Sequence, residues 1–598
     1  MVDTPTTDTP AAPDISHVNP AAEATWFGHP RQLARLFTTE MWERFGFYGM
    51  RALLTLYLTK HFLFGDRAAT GLYGGFTALV YLTPLVGGYL ADQYLGSKRA
   101  VKFGAILMAL GYFTLCFGGE TSRPYAVVDG QRYEVAVDAR DGVETRYVVD
   151  GAQRLAIKGN EDGTVSLLDA TGAAARTVAP GAFQSEADRS PFFVTLMLLA
   201  LCMVSVGNGF FKPNISTMVG ELYAPGDRRR DTGFTIFYMG INLGSLGSQL
   251  LCPLLATTIG WWAGFGLAAV GMLFSWFLIQ FDGGRLNGYG EPPVKPGQPD
   301  RALGIYAAAL IGVPLFYLLF TNLMNAPAPV EGAGMIGYVL ALPLMGKLLF
   351  GTFLVGVPAI LIWSWAKGSR TEFQMMLAAM ILIVFNVVFW TLFEQAGSSL
   401  TLFADRNTNL SVFGLFSISA GQTQFFNAFF IVLFAPIMAA MWTKLAAAGR
   451  EPSIPVKFGL ALIGVGAGFL FLVWGGQFAG PDFKVALWWL AGLYLIHSIA
   501  ELCISPVGLS MITKLSIARI VGLMMGVWFL SISVAQYVAG VVAQVASVET
   551  VGGQVTNLKV SLDTYNQVFW TIGLTAAAIG VVLLAISPLI KRWMHGVQ

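Results

Sequence analysis

Four ionisable residues, Glu40, Glu43, Arg44 and Arg51, stand inside one apolar stretch near the start of the chain. At membrane depth each such group costs several kcal/mol unless paired or hydrated, which makes it a candidate for function. At 100° per residue the four fall with Tyr48 on one helical face about 140° wide, suited to a bundle interior or a wet cavity and not to lipid. A purely structural ion-pair ladder is the alternative. Lys212, Glu394 and Glu501 sit in other apolar stretches. Counting ~1.5 Å per residue from one common end of the helices puts Glu43 and Arg44 at about 18–20 Å, Lys212 at about 16 Å and Glu501 at about 20 Å, one shared level. Cations on the amino-terminal half facing a carboxylate on the carboxyl-terminal half suit a zwitterion: its carboxylate at Arg44 and Lys212, its ammonium at Glu501. Arg51 and Glu394, at about 30–33 Å by the same count, read as a gate pair. Protonating Glu394 would release Arg51. At i, i+4 spacing Glu394 shares a stripe with Asn386, Trp390 and Ser398, and Glu501 with His497 and Ser505. His497 reads either as a hydrogen-bonded core histidine or as a proton relay.

Holding these charges at one depth requires long apolar helices. The 598 residues are 55% hydrophobic and 12% charged, too little charge to solvate a water-soluble protein of this size. Apolar periodicity predicts about fourteen spans, roughly 31–62, 68–95, 98–118, 190–223, 229–258, 260–281, 302–322, 336–366, 372–404, 415–445, 454–477, 483–515, 519–547 and 562–592. Short loops collect Lys98, Arg99 and Lys102, Arg228 to Arg230, Arg285 and Arg301, Lys367 and Arg370, Lys444 and Arg450, Lys514 and Arg519, and Lys591 and Arg592 on one side. Both termini are therefore expected in the cytoplasm. Residues 1–30 are expected to be a disordered tail, 31–281 and 372–598 two six-helix bundles, and 282–371 a linker with an extra helix pair. Within the first bundle, 121–189 is polar and carries Asp129-Gly130, Asp141-Gly142, Asp150-Gly151 and Asp162-Gly163, which predict β-hairpins on the extracytoplasmic side. That insert reads as a passive loop or as a lid or docking element.

Other features limit the chemistry. Cys116, Cys202, Cys252 and Cys503 lie in apolar stretches without metal or disulfide spacing, and no nucleophile, phosphate loop or metal-ligand set points to an enzyme or to a cofactor other than protons. No basic stripe suggests nucleic acid. Asp92 ends the second span beside the cations that open the third, as a cytoplasmic gating contact or as a simple cap. Prolines 84, 213, 253, 436 and 506 inside spans favour kinks.

Glu40-Met41-Trp42-Glu43-Arg44-Phe45-Gly46-Phe47-Tyr48 resembles the ExxERFxYY motif of the proton-dependent oligopeptide transporter family of the major facilitator superfamily. Gly209 to Ser216 is similar to its FKPN signature, Phe237 to Ser245 to its span-five signature, and Gly87 to Arg99 to the superfamily loop between spans two and three. The resemblance implies a major facilitator fold in a bacterial inner membrane, acting as a monomer that imports di- and tripeptides with protons. It implies that Arg44 and Lys212 hold the peptide carboxylate and Glu501 the amino terminus, and that Tyr48, Tyr81, Asn242, Trp390, Asn427 and Trp528 line the pocket. Glu40, Glu43 and Glu394 would serve proton coupling, with Arg51 as partner to Glu394. Phe47 departs from the pattern by standing where the family has a tyrosine, which puts one pocket hydroxyl in question. The rival readings are a symporter of another small anion, such as nitrate or a carboxylate, which has no need of Glu501, and a non-transporting peptide receptor.

Overall fold

The computed structural model describes residues 25–140, 143–224, 227–293, 299–326, 337 and 340–597. Among them are fourteen helices of 19 residues or more. The amino-terminal bundle holds α1 (Gln32–Leu56, continued by a π turn Tyr57–His61), α2 (Asp66–Leu90, continued to Leu95), α3 (Ser97–Leu115), α4 (Pro191–Glu221), α5 (Arg229–Thr258) and α6 (Trp261–Gln280). Two further helices follow, α7 (Ala302–Met324) and α8 (Leu344–Lys367). The carboxyl-terminal bundle begins with α9 (Arg370–Phe393), a 3-10 turn (Glu394–Gly397) and the short α10 (Ser399–Asn407). It continues with α11 (Phe425–Ala447), α12 (Ile454–Gly476), α13 (Leu487–Leu515), α14 (Val521–Val545) and α15 (Leu558–Trp593). Twelve helical segments among the described residues are long and apolar enough to cross a membrane. Helices α1 and α3, which carry the charged face and the basic start, complete the fourteen.

Each bundle has its own apolar core, one built around Leu36, Phe76, Met108 and Phe211 and the other around Phe389, Leu462, Phe469 and Leu583. Helix α7 packs on α2 and α4, and α8 on α9 and α14, so the extra pair bridges the flanks of both bundles. Most of the apolar surface of α7 stays outside the protein, as a lipid-facing helix requires. Glycine permits the closest approaches. A Cβ on Gly87 would lie 2.0 Å from the Gly209 carbonyl oxygen between α2 and α4, and one on Gly74 would lie 2.6 Å from Gly540 Cα between the bundles.

The polar insert forms a seven-stranded antiparallel sheet: β3 (Arg123–Val128), β4 (Gln131–Arg140), β5 (Val143–Asp150), β6 (Gln153–Gly159), β7 (Val165–Leu168), β8 (Ala174–Val178) and β9 (Phe183–Asp188). Its order is β8-β7-β6-β5-β4-β3-β9. Asp129 and Gly130, with φ of 48° and 82°, make the two-residue turn expected of an Asp-Gly hairpin. The corresponding turn at Asp141-Gly142 lies outside the described residues. The bundle end that carries this sheet is termed the sheet end, and the opposite one, with Lys98 and Asp282, the basic end.

Three expectations need correction. Residues 1–24 of the predicted tail lie outside the described residues, but 25–30 form a small ladder, β1 (Thr25–Trp26) with β2 (His29–Pro30), turned by the positive φ of Phe27 and Gly28. It is held because His29 Nδ1 lies 2.9 Å from the Tyr223 hydroxyl and Arg229 donates to the Gly28 carbonyl at 2.9 Å. The span predicted from 415 starts later. Phe413 and Gly414 adopt positive φ in a tight turn, a two-strand ladder runs to Ser417, and a 3-10 turn from Ala420 leads into α11. Thirdly, the i, i+4 stripe through Glu394 stops there, because the 3-10 turn rotates Ser398 off the helical register. The start of the span predicted from 336 falls among residues outside the description.

A charged chamber between the bundles

Helix α1 presents Glu40, Arg44, Tyr48 and Arg51 along one side of a chamber of about 1120 Å³, open volume included. Helix α2 contributes Tyr81, α4 Lys212, and α5 Tyr238, Asn242, Ser245 and Gln249. The other bundle supplies Trp390 and Glu394, Gln424 and Asn427, and Tyr494, His497 and Glu501. Of the four α1 charges expected on one face, Glu40, Arg44 and Arg51 line the chamber and Glu43 does not, and Lys212 and Glu501 meet in the same chamber.

Pairing inside the chamber is unequal. Arg44 Nε makes an ion pair with Glu43 and a second with Glu40 at 3.2 Å, while Arg44 Nη2 donates to Glu43 Oε1 at 2.9 Å. Its charge is already matched. Lys212 has no ion-pair partner among the described residues; its ammonium lies 4.2 Å from the centroid of the Tyr81 ring, a cation-π contact. Glu501 likewise has no cation in contact among the described residues and accepts a hydrogen bond from Asn427 Nδ2 at 3.2 Å. Asn427 also donates to Ser498 Oγ at 3.0 Å, which fixes the amide. Lys212 from the amino-terminal half and Glu501 from the other, neither in an ion pair among the described residues, therefore share a single cavity.

Arg51 and Glu394 form a direct, buried ion pair across the bundles, and Arg51 Nε donates to the Tyr73 hydroxyl at 2.5 Å. Above them the sheet end is closed by further cross-bundle contacts. Thr55 Oγ1 donates to the Gly397 carbonyl at 2.5 Å, and Lys60 meets Asp405 at 2.5 Å. Arg406 grips Asp66 with both terminal nitrogens at 2.6 and 2.5 Å and reaches the Tyr565 hydroxyl at 3.2 Å. Tyr238 lines the chamber one turn nearer the basic end than Asn242 and is 44% exposed, and among the described residues no ion pair joins the two bundles at that end, so the chamber opens toward it.

Two predicted residues lie off the chamber surface. Glu43 is fully buried behind Arg44. Trp528 packs in the core of the carboxyl-terminal bundle, tight against Gly508, because the rotation of α14 turns its indole inward. The Phe47 ring is buried too and does not line the chamber, with the Arg44 guanidinium carbon 5.3 Å from its centroid. Tyr73, Tyr238 and Gln424 were not picked out from sequence. Only Tyr238 carried a signal, as a member of the span-five signature. His497 Nε2 lies 3.0 Å from the Val465 carbonyl, the contact of a hydrogen-bonded core histidine, although its ring also borders the chamber. Asp92 has no part in the ion pairs of the basic end among the described residues. Lys98 pairs there with Asp282 at 3.1 Å, and Arg99 with Asp300 at 2.8 Å. Burial opposes ionisation of Asp282, but hydrogen bonds from Lys98 and the Gly284 and Leu286 amides outweigh it and hold its carboxyl below the usual range. Among the described residues no cluster of His, Cys, Asp and Glu is placed to hold a metal ion.

Two helical bundles closed at one end around a charged, solvent-reached chamber define a multi-pass membrane transporter of the major facilitator type. The family model described as PTR2, the POT family, matches residues 98–295 and 351–558, and the chain belongs to that family. It is 31% identical over 591 residues to "Peptide transporter YePEPT" of Yersinia enterocolitica, covering 96% of this chain and 97% of that one. It is 28% identical over 578 residues to "Dipeptide and tripeptide permease A" of Erwinia pyrifoliae, covering 97% and 98%. Among solved structures it is similar to a mutant of a peptide transporter POT in complex with alafosfalin, with a TM-score of 0.71 and 29% identity over 98% of this chain and all of that one.

Proposed function

We propose that the protein imports di- and tripeptides together with protons by alternating access, reading both peptide termini in the chamber. The supporting observation is that Lys212 and Glu501, each without an ion-pair partner among the described residues, line one cavity from opposite bundles. A peptide carboxylate matches Lys212, with Arg44 beside it, and the ammonium matches Glu501. Tyr48, Tyr81, Asn242 and Trp390 form walls that contact the backbone and accept varied side chains. The names of the relatives agree with peptides as the substrate class. An anion symporter would use the cations but has no need of a carboxylate held ready by Asn427.

In this reading the basic end and both termini face the cytoplasm, the sheet faces outward, and the membrane is a bacterial inner membrane. The protein works as a monomer and needs no cofactor beyond protons. The arrangement is the inward-facing state, with the outer end shut by Arg51–Glu394 and its neighbours. Protonation of Glu394 breaks that pair and lets the outer end open; Glu40 and Glu43, which share Arg44, take part in returning the proton. One proton descending 100 mV supplies about 2.3 kcal/mol, enough for roughly fifty-fold accumulation.

Proteoliposomes given labelled dialanine and an imposed proton gradient are expected to accumulate it until an uncoupler is added. Absence of uptake in folded protein would count against the proposal. Glu394→Gln is expected to keep dialanine exchange while losing gradient-driven accumulation. A variant that still concentrates peptide would remove Glu394 from the coupling step.

A further inference from the structure

The seven-stranded sheet grows from the amino-terminal bundle yet finishes its own core with a residue of the other bundle. Its chain connections lead to α3 and α4. It is fastened to α1 by Arg189, which donates to the Phe62 carbonyl at 2.8 Å and the Leu63 carbonyl at 2.6 Å, and by the Ser122 amide on the His61 carbonyl at 2.9 Å. On its other side lies the hairpin between α14 and α15, β10 (Thr550–Val551) with β11 (Gln554–Val555). Val551 is 1% exposed and belongs to the apolar cluster of the sheet, with Ala126, Val128, Val148 and Phe183. Polar contacts run alongside. The Gly159 amide donates to the Thr556 carbonyl at 3.1 Å, and Asn557 Nδ2 returns a bond to the Gly159 carbonyl at 2.9 Å. Lys559 meets Glu161 at 2.7 Å, and Arg146 donates to the Gly552 carbonyl at 3.3 Å.

We propose that the sheet is a clasp across the sheet end: carried by the amino-terminal bundle, it holds the β10–β11 hairpin of the carboxyl-terminal bundle, favours closure of that end, and lets go whenever the end opens. Its attachment to α1, α3 and α4 is partly covalent, whereas its hold on the hairpin and the residues after it consists, among the described residues, of one inserted valine, a few hydrogen bonds and one ion pair. A separation of the bundles at this end therefore parts the sheet from the hairpin first. A passive decoration would have no reason to bury Val551 in its own core. The inference rests on the alternating-access reading above and adds a part to it that the chamber does not contain.

A Cβ built on Gly159 would lie 3.0 Å from Thr556 Cβ, closer than the ~3.5–4.5 Å a disulfide takes, so a small outward shift of the two segments lets the clasp be locked covalently. The test uses Gly159→Cys with Thr556→Cys in the full chain carrying Cys116→Ala, the other native thiols being buried. Oxidation is expected to abolish dialanine uptake into proteoliposomes while leaving dialanine binding intact, and a reductant is expected to restore uptake. A fully cross-linked protein that transports at the reduced rate would overturn the clasp. A second arm needs no peptide. With Thr55→Cys as a reporter between the bundles, Val551→Ala is expected to speed labelling by an impermeant maleimide, and the cross-link to prevent it. Labelling indifferent to both would equally overturn the proposal. If the reduced parent takes up no dialanine, the transport reading fails, and the labelling arm still decides the clasp.

Discussion

Glu501→Gln weakens binding of a dipeptide with a free amino terminus by roughly 30-fold or more, measured by calorimetric titration of dialanine into the purified transporter. The figure follows from removing one partner of a desolvated charge pair, which costs about 2–5 kcal/mol. Glutamine keeps the length and planarity of the side chain and can still accept from Asn427 Nδ2, so the substitution isolates the charge. Dialanine capped by N-acetylation loses the ammonium and is expected to bind weakly to both proteins, with little difference between them. Equal dialanine affinity in the variant and the parent would refute terminus reading at Glu501.

The second large effect is expected far from the chamber. Asp66→Asn leaves Arg406 buried at the bundle interface, with its side chain 1% exposed and without a matching carboxylate at position 66. An unpaired buried charge costs about 3–5 kcal/mol, and here the cost falls on the state in which the sheet end is closed, because opening hydrates the guanidinium. Net dialanine uptake is expected to fall sharply, and labelling of Thr55→Cys from the sheet side to rise. The reversed pair, Asp66→Arg with Arg406→Asp, restores the attraction and is expected to recover part of the uptake. Wild-type transport in Asp66→Asn alone would mean that this pair does not govern closure.

How far the site could be read beforehand depended on whether its signal was local. The charged face of α1 was legible because four ionisable residues at helical spacing exclude lipid on their own. The depth of Lys212 and Glu501 followed from counting residues, since helical rise is nearly constant. The sheet announced itself through its Asp-Gly turns, where positive φ is written in the residue type. What stayed hidden depends on partners distant in sequence. Asp66 and Arg406 are 340 residues apart, and both fell just outside predicted spans, where a charge looks ordinary. Tyr73 becomes functional only through Arg51, and no period in α2 marks it. Trp528 was assigned by resemblance, which fixes position along a helix more firmly than rotation about its axis. The 3-10 turn at Glu394 left no compositional trace. The hold of the sheet on Val551 was equally invisible, since a valine in a short interhelical hairpin predicts nothing about which bundle it joins.

The most direct measurement is an experimental structure of the transporter with dialanine in the chamber. The account predicts the peptide carboxylate within hydrogen-bonding distance of Lys212 or Arg44 and the ammonium against Glu501. A dialanine molecule lying the other way round, or seated outside the Lys212–Glu501 chamber, would contradict it.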